Sequence, residues 1–247
     1  MAHLFTVIFY QPILNLLVFL YNNVAFHDLG LAIVLLTVVI RLVLWPLNKS
    51  SIKSQKALND LQPKIEELKK QYKDDKVALS QATMSMYKEN KVNPFSSCLP
   101  LLVQLPFLWA VYRVFSDGVN NKLDLVYSFI TKPENMNLIS LGFLNLGKPN
   151  VYLAVLAGLA QFWQAKMMMT KRPTIKTPGS KDEGMAAIMN KQMLYFMPAL
   201  TVFIGISLPG GLTLYWFVLT LLTALQQYIT FRKPAGGSSV IEGTIVK

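Results

Sequence analysis

The stretch Gln192–Phe231, which reads QMLYFMPALTVFIGISLPGGLTLYWFVLTLLTALQQYITF, contains no Asp, Glu, Lys or Arg. Its 40 residues are enough for two crossings, because a bilayer core about 30 Å thick needs about 20 helical residues. Pro209-Gly210-Gly211 interrupts the run near its middle, where a tight turn is needed. The stretch therefore predicts an antiparallel pair of spans, Met193–Leu208 and Leu212–Phe231.

The composition of the whole chain also indicates a membrane protein. Of the 247 residues, 53% are hydrophobic and only 15% are charged, whereas an ordinary soluble domain has about 25% charged residues. The 24 Lys and Arg exceed the 13 Asp and Glu, which gives a net charge of +11. A single cysteine, Cys98, excludes an internal disulfide. With two histidines besides it, a zinc, haem or iron–sulfur site is not expected, and no cofactor is predicted.

Three further runs are long enough to cross a bilayer. Leu29–Trp45 contains one charged residue, Arg41, whereas Phe95–Tyr112 and Pro149–Ala165 contain none, and each run has 17 or 18 residues. We therefore predict an all-α polytopic membrane protein with five transmembrane helices. Leu4–Phe26 is also uncharged, but amide side chains interrupt it. This segment is either a sixth span or a helix lying in the membrane interface, and the amides favour the interface.

Lys and Arg predict the orientation, because they concentrate in cytoplasmic loops. Segments 47–93 and 166–191 and the tail after Phe231 carry 10, 6 and 3 of them, which is 19 of 24. We expect these segments and the C-terminus in the cytoplasm, and the N-terminus and the 116–148 loop outside.

The first cytoplasmic loop has a helical pattern. Apolar residues step by three and four, which is typical of a heptad seam on one helix face. They are Leu58, Leu61, Ile65, Leu68 and Tyr72, followed by a weaker second seam through Val77, Met84 and Tyr87. We predict a helical hairpin, with Pro63 either kinking the first helix or marking a helix start. The alternative is a solvated spacer between two spans.

These patterns divide the chain into nine segments. They are an outer interfacial helix 1–27, a first span 28–48, a cytoplasmic hairpin 49–93, a second span 94–115, an outer loop 116–148, a third span 149–167, a cytoplasmic loop 168–192, the fourth and fifth spans 193–231 and a cytoplasmic tail 232–247.

Arg41 is the main candidate functional residue. An Arg inside a span costs about 2.5–3.5 kcal/mol on insertion scales, so it normally faces protein or water. The apolar runs of the five predicted spans, the first of which is Leu29–Trp45, contain no Asp or Glu, so the charge must be hydrated or held by neutral groups. The available polar groups are Thr37, Gln104, Gln161, Gln164, Ser207, Thr213, Tyr215 and Thr220. We expect a water-bearing cavity open to the cytoplasm; the alternative is an Arg41 that snorkels to the headgroups.

Several motifs, in this order, resemble the YidC family of membrane protein insertases, which is related to mitochondrial oxidase-assembly and chloroplast Albino proteins. The motifs are LGLAI at 29–33, RLVLWPL at 41–47, QPKIEEL at 62–68, YKENKVNP at 87–94, CLPLLVQLP at 98–106 and PGGLTLYW at 209–216. The resemblance runs from about Phe9 to Arg232. The chain departs from many members in having neither a large outer domain nor a lipoprotein signal.

The resemblance implies a five-helix core with a hydrophilic groove that is closed toward the outside. Arg41 takes the role of the groove arginine, and either Gln161 or Gln164 takes that of its partner on the third span. Trp216, with Tyr215 beside it, takes the aromatic position of the last span. The implied function is insertion of nascent membrane proteins into the bilayer, alone or with the Sec translocon, without bond-making catalysis.

The implied location is the bacterial inner or plasma membrane, in contact with membrane lipid. The Lys-rich loops are the expected contacts for the ribosome and the signal recognition particle pathway, and no sequence-specific nucleic-acid binding is expected. Two other functions are compatible with the residues. The first is an anion transporter or channel with Arg41 as its anion site, although the internal repeat of many transporters is not evident. The second is a scaffold that only holds other membrane proteins together.

Overall fold

The computed structural model describes residues 2–72, 75–93, 99–117, 119–168 and 192–232. Its elements are almost all helices. They are α1 (Ala2–Phe5, the π-helical Thr6–Tyr10 and Gln11–Asn23), α2 (Leu29–Val43), α3 (Trp45–Gln71), α4 (Lys76–Glu89), α5 (Leu99–Ser116), α6 (Val151–Met168), α7 (the π-helical Gln192–Phe196 and Met197–Gly205) and α8 (Gly210–Arg232). A 3-10 helix (Val119–Leu125) and two short antiparallel strands, β1 (Ile139–Ser140) and β2 (Leu144–Asn145), lie between α5 and α6.

Two of the described helices are long and apolar enough to cross a membrane, His3–Asn23 and Gly210–Phe231. A third is added if α2 and α3, which meet at a bend of 70°, are taken as one broken span. Leu102–Ser116 and Gln192–Gly205 are shorter apolar helices. The protein is thus mostly helical, with two or three apolar spans by these criteria, and the count of five stays a prediction. The first residues of the predicted second span, the 169–191 loop and the tail after Arg232 lie outside the described residues.

The bend between α2 and α3 has a local cause. Pro46 stands in the first turn of α3, and a proline has no backbone N–H to donate to the carbonyl four residues earlier, so it cannot continue the hydrogen bonding of α2. Leu44, which is the C-cap of α2 and the N-cap of α3, is not helical: its φ is −85° and its ψ is 1°. Of the two outcomes predicted at Pro63, the helix start is wrong, because α3 runs from Trp45 to Gln71 with Pro63 inside it; the kink stays a prediction. Pro46 is tolerated in α3 because it lies in the first turn, where the missing N–H would have no partner within the helix. The chain therefore changes direction at Leu44, just before this proline.

Helices α3 and α4 pack together through a small apolar cluster. Its buried members are Leu61, Ile65 and Met86. The first helix therefore uses part of its predicted seam, but the second turns Met86 inward while Val77 and Met84 are exposed. The seam predicted for α4 is therefore only partly right: Tyr87 packs against the cluster, whereas Val77 and Met84 do not. Asp75 begins α4 by accepting hydrogen bonds from the backbone N–H groups of Val77 and Ala78.

Helix α8 is the centre of the main bundle. It packs on α6 and α2, and less extensively on α3 and α5, while α7 packs on α6. The apolar core lies between α1, α2, α5 and α8, with Leu14, Leu17, Ile33, Leu36 and Tyr215 among its fully buried side chains. This arrangement places one face of α8 against the helix that carries Arg41.

Candidate functional site

Arg41 is buried between α2 and α8, with only 7% of its surface exposed. Its Nη2 donates a hydrogen bond to Oε1 of Gln226, at 3.1 Å. Within the described residues no carboxylate forms an ion pair with Arg41. Thr37 precedes Arg41 by one helical turn and therefore shares its face; it is fully buried, and its hydroxyl donates to the carbonyl of Ile33 at 2.7 Å. The cation is thus held by a neutral amide.

A second polar pair joins α5 to α8. Nε2 of Gln104 donates to the hydroxyl of Tyr215 at 2.7 Å, and Tyr215 is 0% exposed. Tyr215 and Gln226 are 11 residues apart, which is about three helical turns. One face of α8 therefore carries both Tyr215, the partner of Gln104, and Gln226, the partner of Arg41.

Neither glutamine of α6 forms a hydrogen bond with Arg41 in the described part of the chain. Oε1 of Gln161 accepts a hydrogen bond from the hydroxyl of Thr201 on α7, and Gln164 is half-buried. Helix α8 packs on both α2 and α6, whereas α2 and α6 do not pack extensively on each other. Trp216 is half-buried and follows Tyr215 directly, so it points about 100° away from the Tyr215 face. The structure thus groups Arg41 with Thr37, and Gln104 with Tyr215, but leaves Gln161 in a separate pair.

A polar assembly closes the opposite end of these helices. We name it the β cap, and it comprises residues 138–149 with the helix ends that they bind, Asp28–Gly30 and Pro209–Gly211. The Asp28 carboxylate accepts from the N–H of Leu31 at 2.9 Å, from the Ser140 hydroxyl at 2.6 Å and from the N–H of Leu141 at 2.7 Å. Partial burial would raise the pKa of Asp28, but the Ser140 hydroxyl and the backbone N–H groups outweigh it and bring the pKa below its ordinary value.

The cap reaches α8 as well as α2. The N–H groups of Gly210 and Gly211 donate to the carbonyls of Lys148 and Leu146, at 2.9 and 2.8 Å. A β-bridge also joins Pro149 to Pro209. Because these backbone groups are satisfied by the neighbouring loop, the start of α8 is tied firmly to the residues that precede α6.

A sequence profile of the 60Kd inner membrane protein family matches residues 19–236, which is most of the chain. This chain belongs to that family. Its curated relatives include two proteins named membrane protein insertase YidC. The one from Fusobacterium nucleatum is 33% identical over 92% of this chain and 98% of its own length. The one from Syntrophus aciditrophicus is 35% identical over 88% of this chain.

The YidC-family relatives differ in length. This chain spans 35% of the protein from Syntrophus aciditrophicus and 35% of a relative from Geobacter metallireducens. Among solved structures, one titled "Active YidC insertase crystal structure with the first transmembrane domain resolved" is similar with a TM-score of 0.58 and 25% identity. That match covers 93% of this chain and 47% of the other.

Sequence reasoning missed Gln226 as the partner of Arg41 in this YidC-family chain. A signal for it was available in the depth of the two residues. Arg41 lies four residues before the end of the predicted first span, at Trp45, and Gln226 lies five before the end of the predicted fifth span, at Phe231. Because the two predicted spans run in the same direction, these depths would have placed the two side chains at about the same level.

Proposed function

We propose that this chain is a membrane protein insertase, which receives nascent transmembrane segments in a hydrophilic groove open to the cytoplasm and releases them into the bilayer. One observation carries the proposal beyond family membership. Arg41 is buried against the neutral Gln226, and its charge has no carboxylate partner within the described residues. Such a cation retains its attraction for an acidic group on an arriving chain, whereas a salt-bridged Arg would already be neutralised.

The strength of that attraction depends on the surroundings of Arg41. Charges attract each other more strongly where the effective dielectric constant is low. Because Arg41 is buried, a carboxylate that reached it would be bound more strongly than at an exposed Arg. An acidic residue in the leading tail of a substrate would gain a partner there while its apolar segment moved into lipid. This mechanism makes and breaks no covalent bond, so no catalytic residue is assigned. Gln104, Tyr215, Thr37, Gln161, Gln164 and Trp216 are proposed as further groove residues.

The β cap supports entry from one side only. The hydrogen bonds of Asp28, Gly210 and Gly211 tie the starts of α2 and α8 to residues 138–149, so a chain could not pass readily between them. We propose that this end faces outward, with the N-terminus outside, the C-terminus in the cytoplasm and five spans in the inner membrane. Substrates would then reach Arg41 from the cytoplasm.

The contacts of α1 support its placement in the outer interface. The amides of Gln11 and Asn15 both donate to the carbonyl of Leu125, and that of Asn22 donates to the carbonyl of Thr131. Gln11 and Asn22 are about 16 Å apart along the helix. If α1 crossed the bilayer, the loop from 125 to 131 would be carried into hydrocarbon, where irregular backbone is not tolerated against lipid.

The proposed insertase function implies several partners for the chain. Nascent membrane proteins are its substrates, and it acts alone or with the Sec translocon. The Lys-rich α3 is proposed as a contact for the ribosome and the signal recognition particle pathway.

Reconstitution of the purified chain with one purified single-span substrate tests the function. We expect protease-protected substrate in proteoliposomes that contain the chain, and little in empty liposomes. Anion flux that depends on Arg41, without insertion, would indicate a channel or transporter instead. A chain that binds the substrate but never inserts it would be a scaffold.

A further inference from the structure

The amide of Gln226 has an unused hydrogen-bonding group. A guanidinium carries only donors, so Gln226 must present Oε1 to Arg41, and its Nε2 points elsewhere. Gln226 is 2% exposed, and within the described residues Nε2 has no hydrogen-bond partner. The residue that holds Arg41 therefore also presents a neutral donor that is unpaired among the residues the structure describes.

Two more such groups lie in the first turns of α3. Asn48 and Ser51 are 6% and 2% exposed, and residues three apart share a helix face. Neither Nδ2 of Asn48 nor Oγ of Ser51 has a hydrogen-bond partner in the part of the chain that the structure describes. Their helix packs on α8, and the Lys56 ammonium lies 6.0 Å from the centre of the Phe231 ring. The first turns of α3 therefore lie beside the last turns of α8, where Gln226 is located.

Buried donors without partners are rare in folded proteins, because each one is destabilising. Here three groups that can donate lie on two packed segments, the first turns of α3 and the last turns of α8, and one of them, Gln226, also holds the buried Arg41. An apolar side chain at any of these positions would pack without that penalty. The cluster is therefore better explained by a ligand than by packing.

We propose that Gln226, Asn48 and Ser51 bind backbone carbonyl groups of the arriving polypeptide, beside the charge site at Arg41. This inference rests on the proposed insertase function and adds a second mode of recognition to it. Two amides and a hydroxyl are neutral donors, which suit neutral carbonyl acceptors, whereas the guanidinium suits a carboxylate. Every polypeptide carries backbone carbonyls, and each one needs a replacement for water when it leaves the aqueous phase. The site thus serves substrates of any sequence, and Arg41 adds preference for acidic ones.

The test compares two single-span substrates in proteoliposomes that contain the full chain. One substrate has a leading tail of Gly and Ala only, so that the backbone supplies its acceptors, and the other has the same tail with two Asp. The Asn48→Leu/Ser51→Ala double variant should insert both substrates about five- to tenfold less, as expected for two lost hydrogen bonds. Arg41→Ala should impair the acidic substrate several-fold more than the Gly and Ala substrate. Ser54→Ala is the matched control, since this hydroxyl on the same helix already donates to the carbonyl of Ser50 at 3.2 Å, and it should leave both substrates unaffected.

Thermal unfolding separates ligand binding from a structural role. Replacing unpaired buried donors with apolar groups should raise the unfolding midpoint of the double variant by a few degrees, even as its insertion activity falls. Insertion of the Gly and Ala substrate at the unsubstituted rate would overturn the inference, and so would a fall in the midpoint that parallels the loss of insertion. If the unsubstituted chain inserted neither substrate, the proposed function itself would be wrong.

Discussion

The two ends of α2 treat buried polar groups in opposite ways. At the start of the helix, the Asp28 carboxylate receives hydrogen bonds from three donors, and the β cap binds the first residues of α8 in the same manner. At the end of the helix, Arg41 meets one neutral amide, and Gln226, Asn48 and Ser51 contain buried atoms without a partner in the described residues. Paired polar groups fix a structure, whereas unpaired ones keep binding capacity available. The difference fits the proposal that one end stays closed while the other receives a ligand.

The largest expected effect comes from making the Arg41 end resemble the β cap. Gln226→Glu would place a carboxylate about where Oε1 lies, 3.1 Å from Nη2 of Arg41, and would neutralise the cation with a charge-assisted hydrogen bond. Such bonds contribute about 1.5–3 kcal/mol, so we expect insertion of an acidic-tailed substrate to fall about tenfold or more. Protease protection in proteoliposomes measures the yield.

Gln226→Met is the matched variant for that experiment. It has a similar shape and removes the hydrogen bond to Arg41, but it adds no charge. We expect it to reduce insertion of the acidic-tailed substrate much less than Gln226→Glu does. Equal losses in both variants would show that the shape of residue 226, and not the neutralisation of Arg41, controls insertion.

The next effect tests whether the β cap is as rigid as its contacts indicate. A Cβ added at Gly211 would lie 2.4 Å from Cε1 of Phe115, and this ring is buried. Overpacking of this kind costs about 1–3 kcal/mol, so Gly211→Ala should lower the thermal unfolding midpoint in detergent. Adding Phe115→Leu makes room for the new methyl group and should recover most of that loss. A double variant no more stable than Gly211→Ala alone would contradict close packing at this end.

Much of the fold follows from patterns that are local in the sequence. The uncharged runs and the Pro209-Gly210-Gly211 break predicted the last two helices to within a few residues, because hydropathy and turn chemistry depend on neighbouring residues. The seam of α4 was right at Tyr87 and wrong at Val77 and Met84, because its apolar residues lie on more than one face and the packing partner selects Met86 over Met84.

The site was less predictable than the helices. Arg41 was identified because a lone charge in an apolar run is conspicuous, but its partner Gln226 lies 185 residues away. Several polar residues of the spans were equally plausible partners. The choice depends on which faces of α2 and α8 meet, and no local rule determines that. Gln161 illustrates the limit, since it pairs with Thr201 on α7 instead.

A smaller effect is expected at the hydrogen bond between Gln104 and Tyr215. Tyr215→Phe keeps the buried ring but removes the hydroxyl that accepts from Gln104 at 2.7 Å. Loss of one hydrogen bond destabilises a fold by about 1 kcal/mol, so the free energy of unfolding should fall by that amount. Gln104→Leu provides the comparison, because it removes the donor and leaves the ring unchanged. The two single variants and the double variant form a cycle, and additive losses would show that this pair makes no specific contribution.

The smallest effect is a pH dependence confined to the β cap. The pKa of Asp28 is lowered in the folded chain, so its contribution to stability is complete above the unfolded value of about 3.9. That contribution is lost as the pH falls through the lowered folded value. Asp28 should therefore not change the unfolding midpoint between pH 5 and 7, because its carboxyl group stays ionised in both the folded and the unfolded chain. Below about pH 4, the unfolding midpoint should fall more steeply in the unsubstituted chain than in Asp28→Asn.

Hydrogen exchange gives a local measurement of the same bond. The N–H of Leu141 donates to the Asp28 carboxylate at 2.7 Å, so its exchange should accelerate below about pH 4 relative to that of an amide without a hydrogen bond. Parallel midpoint curves for the two chains below pH 4 would mean that the cap is held together without the charge of Asp28.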